Sequence, residues 1–288
     1  MRFDLTQSFL LALAFALCAA MPVCAQHTCG THLIKDYAAQ YQTNPDNQKQ
    51  KSQIVDPCVD KTISVVAWVS SPGDLVPVVS QGQVQAALNK ANNQFRGSCL
   101  NFTLCHYEVM PEHRFWSWDN VADEPDALSL HYRPGNINMY FCDTVKVGGS
   151  PVGGYAYLPG GPDVVLIHTG SMGGNVVAHE LGHFFGLLHT WEKSTGLELV
   201  DGSNCTTTGD FICDTEADPY DIILGIPTHS ADSTCNAVPF DQDTNGDWYL
   251  PPTNNIMSYY TDLCDQKFTV GQLNYMVNQY LNFRNYLW

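Results

Sequence analysis

A chain of 288 residues with 44% apolar types is long enough to bury a sizeable core, as one large domain or two small subdomains. Its formal net charge of −16 arises with only 15% charged residues, so the acidity reflects scarce Lys and Arg. A broad basic face for nucleic acid or for an anionic membrane is therefore excluded.

The N-terminus, MRFDLTQSFLLALAFALCAAMPVCAQ, carries Arg2, an apolar run from Phe9 to Val23, and Val23-Cys24-Ala25 ahead of Gln26. This order reads as a secretory signal peptide over 1–25, because the run is short for a bilayer span. A secreted, extracellular protein that leaves the membrane once the signal is removed is expected. Cysteines then remain at 29, 58, 99, 105, 142, 205, 213, 235 and 264. In an oxidising compartment they pair, and the odd count leaves one thiol over.

Residues 26–61 are polar and form a short leader or pro-segment. TISVVAWV (62–69) is a β-branched run suited to a buried strand, and 81–97 has helical apolar spacing through Val84, Leu88, Ala91 and Phe95. Residues 100–109 and 135–145 alternate as strands do, and GGYAYLPGGPDVVLIHTG (153–170) predicts an exposed strand, a Pro/Gly turn and a second strand. After Trp191 the chain turns irregular and rich in Cys, Asp and Gly, and only 270–287 recovers a helical pattern. The expectation is an α+β chain without repeats: a sheet-and-helix half over 62–189 and a loop-rich half over 190–288.

The chemistry concentrates in GNVVAHELGHFFGLLHTW (174–191). Asn175 can cap a helix and Gly186 can end it. His179 and His183, four apart, leave the same helix face. His189 would lie about 9 Å farther along the axis if the helix continued. A glycine free to take positive φ lets the chain reverse and bring His189 back. Three imidazoles around an open fourth position make a catalytic rather than a structural zinc site. Glu180 can then take the proton of a water whose pKa zinc lowers to about 7. A chance gathering of histidines on a buried helix face accounts poorly for five fixed positions in H-E-x-x-H-x-x-G-x-x-H.

That pattern is the metzincin signature, and HELGHFFGLLHTW resembles the pappalysin/ulilysin (M43-type) metzincin zinc metalloproteases. GDFICDTEAD (209–218) is similar to a G-D-x-x-x-D-T-P stretch of that group, with Glu216 in place of the proline, and NNIMSYYTDLCDQKFTVGQ (254–272) resembles its methionine turn. The resemblance implies a metzincin-type zincin. A twisted mixed sheet with active-site and backing helices would stand above the cleft, over an irregular, disulfide-linked lower subdomain with a C-terminal helix. It implies one zinc ion on His179, His183 and His189, with Glu180 and Tyr259 as catalytic residues and Met257 as an apolar floor; Tyr260 is read as packing. A phenol at Tyr259 could donate to an oxyanion, and the GGYAYLPG stretch would pair with an extended peptide.

HTCGTHL (27–33) is similar to a Cys-Gly-Thr found in leaders of this group, where the thiolate fills the fourth zinc position and holds the enzyme latent. Cys29 in that role would account for the odd thiol, with activation by cleavage around 49–61, after Lys51 or Lys61. Cys235–Cys264 matches a disulfide of the group; Cys205 matches another whose partner is missing, which leaves Cys213. Cys99–Cys105 and Cys58–Cys142 complete the expected set, although connectivity is weakly specified by sequence. The resemblance also admits calcium near 209–218, whereas DQDTNGD (241–247) lacks the twelfth-position Glu of an EF-hand and reads as a solvated turn. Asn101-Phe-Thr103 and Asn204-Cys-Thr206 are glycosylation sequons if the source is eukaryotic.

The expected function is that of a secreted, monomeric zinc metalloendopeptidase acting on protein or peptide substrates. The alternative is a catalytically silent secreted zinc-binding module or adhesin of the same fold; the retained Glu180 argues against it.

Overall fold

The structure is a computed structural model, and it describes residues 29–31, 58–219, 235–239, 241–260 and 264–288. The segments expected to form the signal peptide and most of the leader, with the expected cleavage point at Lys51, lie outside the described residues. No helix among the described residues is long and apolar enough to cross a membrane.

Strand β1 (Lys61–Val69) is followed by helix α1 (Gln81–Gln94), β2 (Leu100–Val109), β3 (Ser117–Asp119), helix α2 (Glu124–Leu130), β4 (Ile137–Cys142), β5 (Thr144–Val147), β6 (Ser150–Pro151), β7 (Gly154–Ala156), β8 (Val164–His168), helix α3 (Val176–Phe184) and helix α4 (Val270–Gln279). A five-stranded sheet runs in the order β2-β1-β4-β8-β7, parallel except for β7, which pairs antiparallel with β8; a small second sheet runs β3-β5-β6. This is the expected twisted mixed sheet, and β7 lies at its edge.

Alternation along the strands sorts the side chains between two cores. Ile63, Val65, Ala67 and Val69 of β1, with Ile137, Met139 and Phe141 of β4, face the core shared with α1, α3 and α4. Val66 and Trp68, with Tyr140 and Cys142, face a second core built on Phe115, Trp118 and Tyr155. Helix α1 begins at Ser80, whose hydroxyl and the Gln83 side chain form a capping box.

The pattern over 135–145 divides into β4 and β5, which belong to different sheets, and β3, α2 and β6 go beyond the sequence reading. The helical pattern of 270–287 ends as an α-helix at Gln279 and continues as a π-type turn over Tyr280–Arg284.

Two of the expected disulfides form, Cys205–Cys213 and Cys235–Cys264. The other two do not: Cys58 bonds Cys99, and Cys105 and Cys142 are free thiols. The parallel register explains this correction. Lys61 pairs with Leu100, so the residues just ahead of the two strands meet, with Cα atoms of Cys58 and Cys99 4.7 Å apart. Cys105 lies about 17 Å down an extended strand from Leu100, far beyond disulfide reach of Cys99. Lys61 itself is held in β1, its N–H bonded to the Cys99 carbonyl.

The sequons differ in setting. Asn101 is exposed on β2, whereas the Asn204 side chain is bonded into a turn, accepting from the Leu199 N–H and donating to the Leu197 carbonyl.

Candidate active site

Helix α3 supplies the first three candidate side chains, His179, Glu180 and His183, and all nine of its residues are buried. Asn175 precedes it without capping it, a correction to the sequence reading: its amide donates instead to Gln266 Oε1 at 2.8 Å. The C-terminus is a Schellman motif. Gly186 has φ +93°, its N–H bonds the His183 carbonyl, and the Leu187 N–H bonds the Gly182 carbonyl. This is the reversal that the motif requires, and it returns His189 to the other two histidines.

The three Nε2 atoms lie 3.1–3.3 Å from one another. His179 Nδ1 bonds the Ile256 carbonyl at 2.6 Å and His183 Nδ1 bonds the Leu187 carbonyl at 2.7 Å. A carbonyl only accepts, so these two nitrogens carry the protons, and both Nε2 lone pairs are left facing the centre of the cluster. Lone pairs this close repel unless a cation lies among them. Ligands at zinc's usual bond lengths stand about 3.3–3.4 Å apart along a tetrahedron edge, so these residues fit the ion. Trp191 stacks on His189 with centroids 4.3 Å apart and an interplanar angle of 8°.

Glu180, fully buried, sits beside the cluster. Oε1 has no hydrogen-bond partner among the described residues, and burial pushes the carboxyl up to about 8 against smaller opposing effects from Cys29 and Thr31. Gly154 of β7 makes room for it, since a Cβ there would stand 2.9 Å from Glu180 Oε1.

Met257 is wholly buried under α3, where a Cβ on Gly182 would come within 2.6 Å of its sulfur. Tyr259 lies edge-on to His189 at 4.9 Å between centroids. Its hydroxyl accepts from the Cys29 N–H at 2.7 Å and donates to the Cys29 carbonyl at 3.1 Å. The packing role read for Tyr260 is incomplete, because its hydroxyl donates to Asp218, whose other oxygen accepts from the Thr190 hydroxyl.

Segment 29–31 enters the cleft. Cys29 Sγ and one nitrogen from each histidine all lie within 4.8 Å of one another. Cys29 bridges Gly154 in parallel fashion, the Gly30 N–H donates to the Gly154 carbonyl, and the Thr31 hydroxyl accepts from the Ala156 N–H. Cys29 Sγ and the Thr31 hydroxyl each lie 3.4 Å from Glu180 Oε2.

Several contributors carry no sequence signal of their own. Arg284, 1% exposed, donates to the carbonyls of Phe184, Tyr157 and Leu158 and pairs with Asp163, so the C-terminal turn ties the end of α3 to the end of β7. Asp218 links Thr190 to Tyr260 across 28 and 42 residues. Spacing reveals neither. Calcium gains no support: among the described residues the one close grouping of metal-binding donors is that of Cys29 with the histidines. Asp210 accepts from the Ile212 N–H and the Thr215 hydroxyl, and Asp243 accepts from the N–H groups of Val200, Asn245 and Asp247. Region 241–247 is thus the Asx-type turn expected.

A mixed sheet over a three-histidine cluster, with a glutamate one residue past the first histidine and a methionine beneath, defines the metzincin class of metalloproteases. Residues 165–281 match the family described as pregnancy-associated plasma protein-A, Peptidase M43. An extracellular metalloprotease of Pyricularia oryzae is 25% identical over 99% of both chains, and one of Sordaria macrospora is 32% identical over 57% of this chain and 47% of its own length. In fold, the chain is similar to Tannerella forsythia promirolysin, with a TM-score of 0.59 and 18% identity over 88% of this chain and 93% of that one. Mature mirolysin in complex with a cleaved peptide gives 0.52 and 19% over 75% and 89%. The chain is thus similar to the pappalysin-like metzincin metalloproteases.

Proposed function

We propose that this metalloprotease is secreted as a latent precursor and hydrolyses internal peptide bonds with one zinc ion held by His179, His183 and His189. The observation that carries the reading is the convergence of imidazole lone pairs beside a buried, unpartnered oxygen of Glu180. Bound zinc lowers the pKa of a coordinated water to about 7 and polarises the scissile carbonyl. Glu180 takes the proton of the attacking water and passes it to the leaving amine. Tyr259, once its hydroxyl is released from the Cys29 main chain, donates to the oxyanion. The backbone groups of Gly154 and Ala156, now bonded to Gly30 and Thr31, receive the substrate main chain.

In the precursor the Cys29 sulfur takes the position that the water needs, and thiolate is a ligand that zinc binds well. The catalytic domain extends to residue 288, with an upper part to about 189. Because Cys58 is bonded to Cys99, a cut after Lys61 would leave the leader tethered, so the activating cut falls before Cys58. Secretion is supported by the relatives named extracellular metalloproteases. The protein acts as a monomer on protein or peptide substrates. The silent-module alternative is disfavoured by the intact Glu180. The test is hydrolysis of a denatured protein by the trypsin-treated, zinc-loaded chain. Activity that a chelator removes and zinc restores is expected; a zinc-replete, folded chain without activity would leave the silent module standing.

A further inference from the structure

Strand β7 is three residues long and has one ladder partner, β8. Main-chain bonds alone hold so short an edge weakly, yet the proposed chemistry needs it at a fixed height beside Glu180. Its two faces are treated differently. Gly154 and Ala156 are small and press on α3 and the core beneath it, while Tyr155 points into the opposite core. There the hydroxyls of Tyr155 and of Tyr157, just past the strand, donate to the two oxygens of one carboxylate, Glu124 of α2. Trp118 Nε1 donates to the Tyr155 hydroxyl at 2.8 Å. Glu124 is 6% exposed, Tyr155 0%, Tyr157 7% and Trp118 0%, so the network is sealed from water. Hydrogen bonds to a buried charged acceptor are the strong ones, at about 1.5–3 kcal/mol each.

We infer that Glu124 is a positioning residue that sets the height of the peptide-binding edge by gripping Tyr155 and Tyr157 from behind. The inference rests on the proposed protease reading, in which β7 receives both the substrate and segment 29–31. It follows that loosening Glu124 weakens two occupants of one edge. Substrate affinity falls and latency leaks, while the metal, Glu180 and Tyr259 are untouched. A loss of fold does something else: it removes active molecules, lowering apparent kcat at constant KM and creating no activity in the precursor.

The experiment compares the zinc-loaded full chain with Glu124→Ala and Glu124→Gln, before and after limited trypsin treatment, on a peptide that spans several subsites. In Glu124→Ala, KM should rise about tenfold with kcat per titrated active site within about twofold, the pattern of binding lost equally from ground and transition states. Glu124→Gln can still bond both phenols, accepting from one and donating to the other, so it should recover most of the parent KM. Activity before trypsin should rise in the same order. If Glu124→Ala does not fold, Tyr157→Phe decides, with a KM rise of about threefold expected. An inactive parent sinks the protease reading together with this inference. An active parent with unchanged KM in the variants, or with kcat falling alone, sinks this inference only.

Discussion

Up to residue 184 the side chains of the site ride on regular elements, whereas beyond it, from His189 onward, they hang from turns and loops pinned by polar contacts. His179, Glu180 and His183 are fixed by a nine-residue helix buried on every side. Met257 and Tyr259 have no such support. Asn255 and Gln272 exchange amide bonds that tie the methionine turn to α4, Asp218 ties Thr190 to Tyr260, and Cys235–Cys264 closes the segment. Helix packing therefore fixes two of the three proposed metal ligands, and individually weak polar locks of about 1 kcal/mol each fix the tyrosine proposed to assist. Assistance should then be easier to lose than the metal site, and smaller in effect when lost.

Paired variants break that contrast if it is wrong. Glu180→Gln, on the rigid side, should cost at least about 10³ in kcat with the fold and zinc content unchanged. Tyr259→Phe, on the loop side, should cost about 10–100-fold, because one oxyanion donor is lost while the metal still acts. Both are read by kcat of the activated enzyme with zinc measured on the same sample. Equal losses would place the tyrosine on a par with the base and end the distinction.

Legibility in the sequence follows the same divide. The β-branched run of β1, the alternation of β2 and the spacing of His179, His183, Gly186 and His189 are local signals, and each corresponds to an element or turn. What escaped is non-local. Asn175 has a capping residue's identity and place, but Gln266, 91 residues away, takes its amide. Cys99 looked able to pair with Cys105 by proximity along the chain, yet a strand separates the two and the register of β1 on β2 delivers Cys58 instead. The grip of Glu124 on Tyr155 and Tyr157 and the reach of Arg284 to Phe184 depend on layers packed together after the strands are laid, and no spacing encodes them.

The disulfides sharpen the comparison at the level of stability. Cys58–Cys99 spans 41 residues in the upper half and Cys205–Cys213 spans 8 in the lower. In the chain-entropy picture, replacing both cysteines with serine should cost about 4 kcal/mol for the first and about 2.5 kcal/mol for the second. Chemical unfolding of the two double variants checks this. The shorter bridge costing more would mean that Cys205–Cys213 acts by ordering the native loop around Asp210 rather than by restricting the unfolded chain.

The smallest expected effect again lies in the loop side. Glu198 is 5% exposed, its Oε2 has no hydrogen-bond partner among the described residues, and burial pushes its carboxyl from 4.5 up to about 7. A folded-state value above the unfolded one means that the proton is held more tightly in the folded protein. Stability from this group is complete below about pH 4.5 and is lost as pH rises through about 7. Glu198→Gln removes the titration. Discounted for partial hydration, the difference is about 1 kcal/mol, or about 2–4 °C for a domain of this size. The thermal midpoint of the parent relative to the variant should therefore drop by that amount between pH 5 and pH 8, the loss of the Glu198 charge beside Asp210 being part of the same difference. A gap that stays constant across this range would mean that the Glu198 carboxylate is solvated or paired in solution. The loop half would then hold its acidic groups no less comfortably than the sheet half.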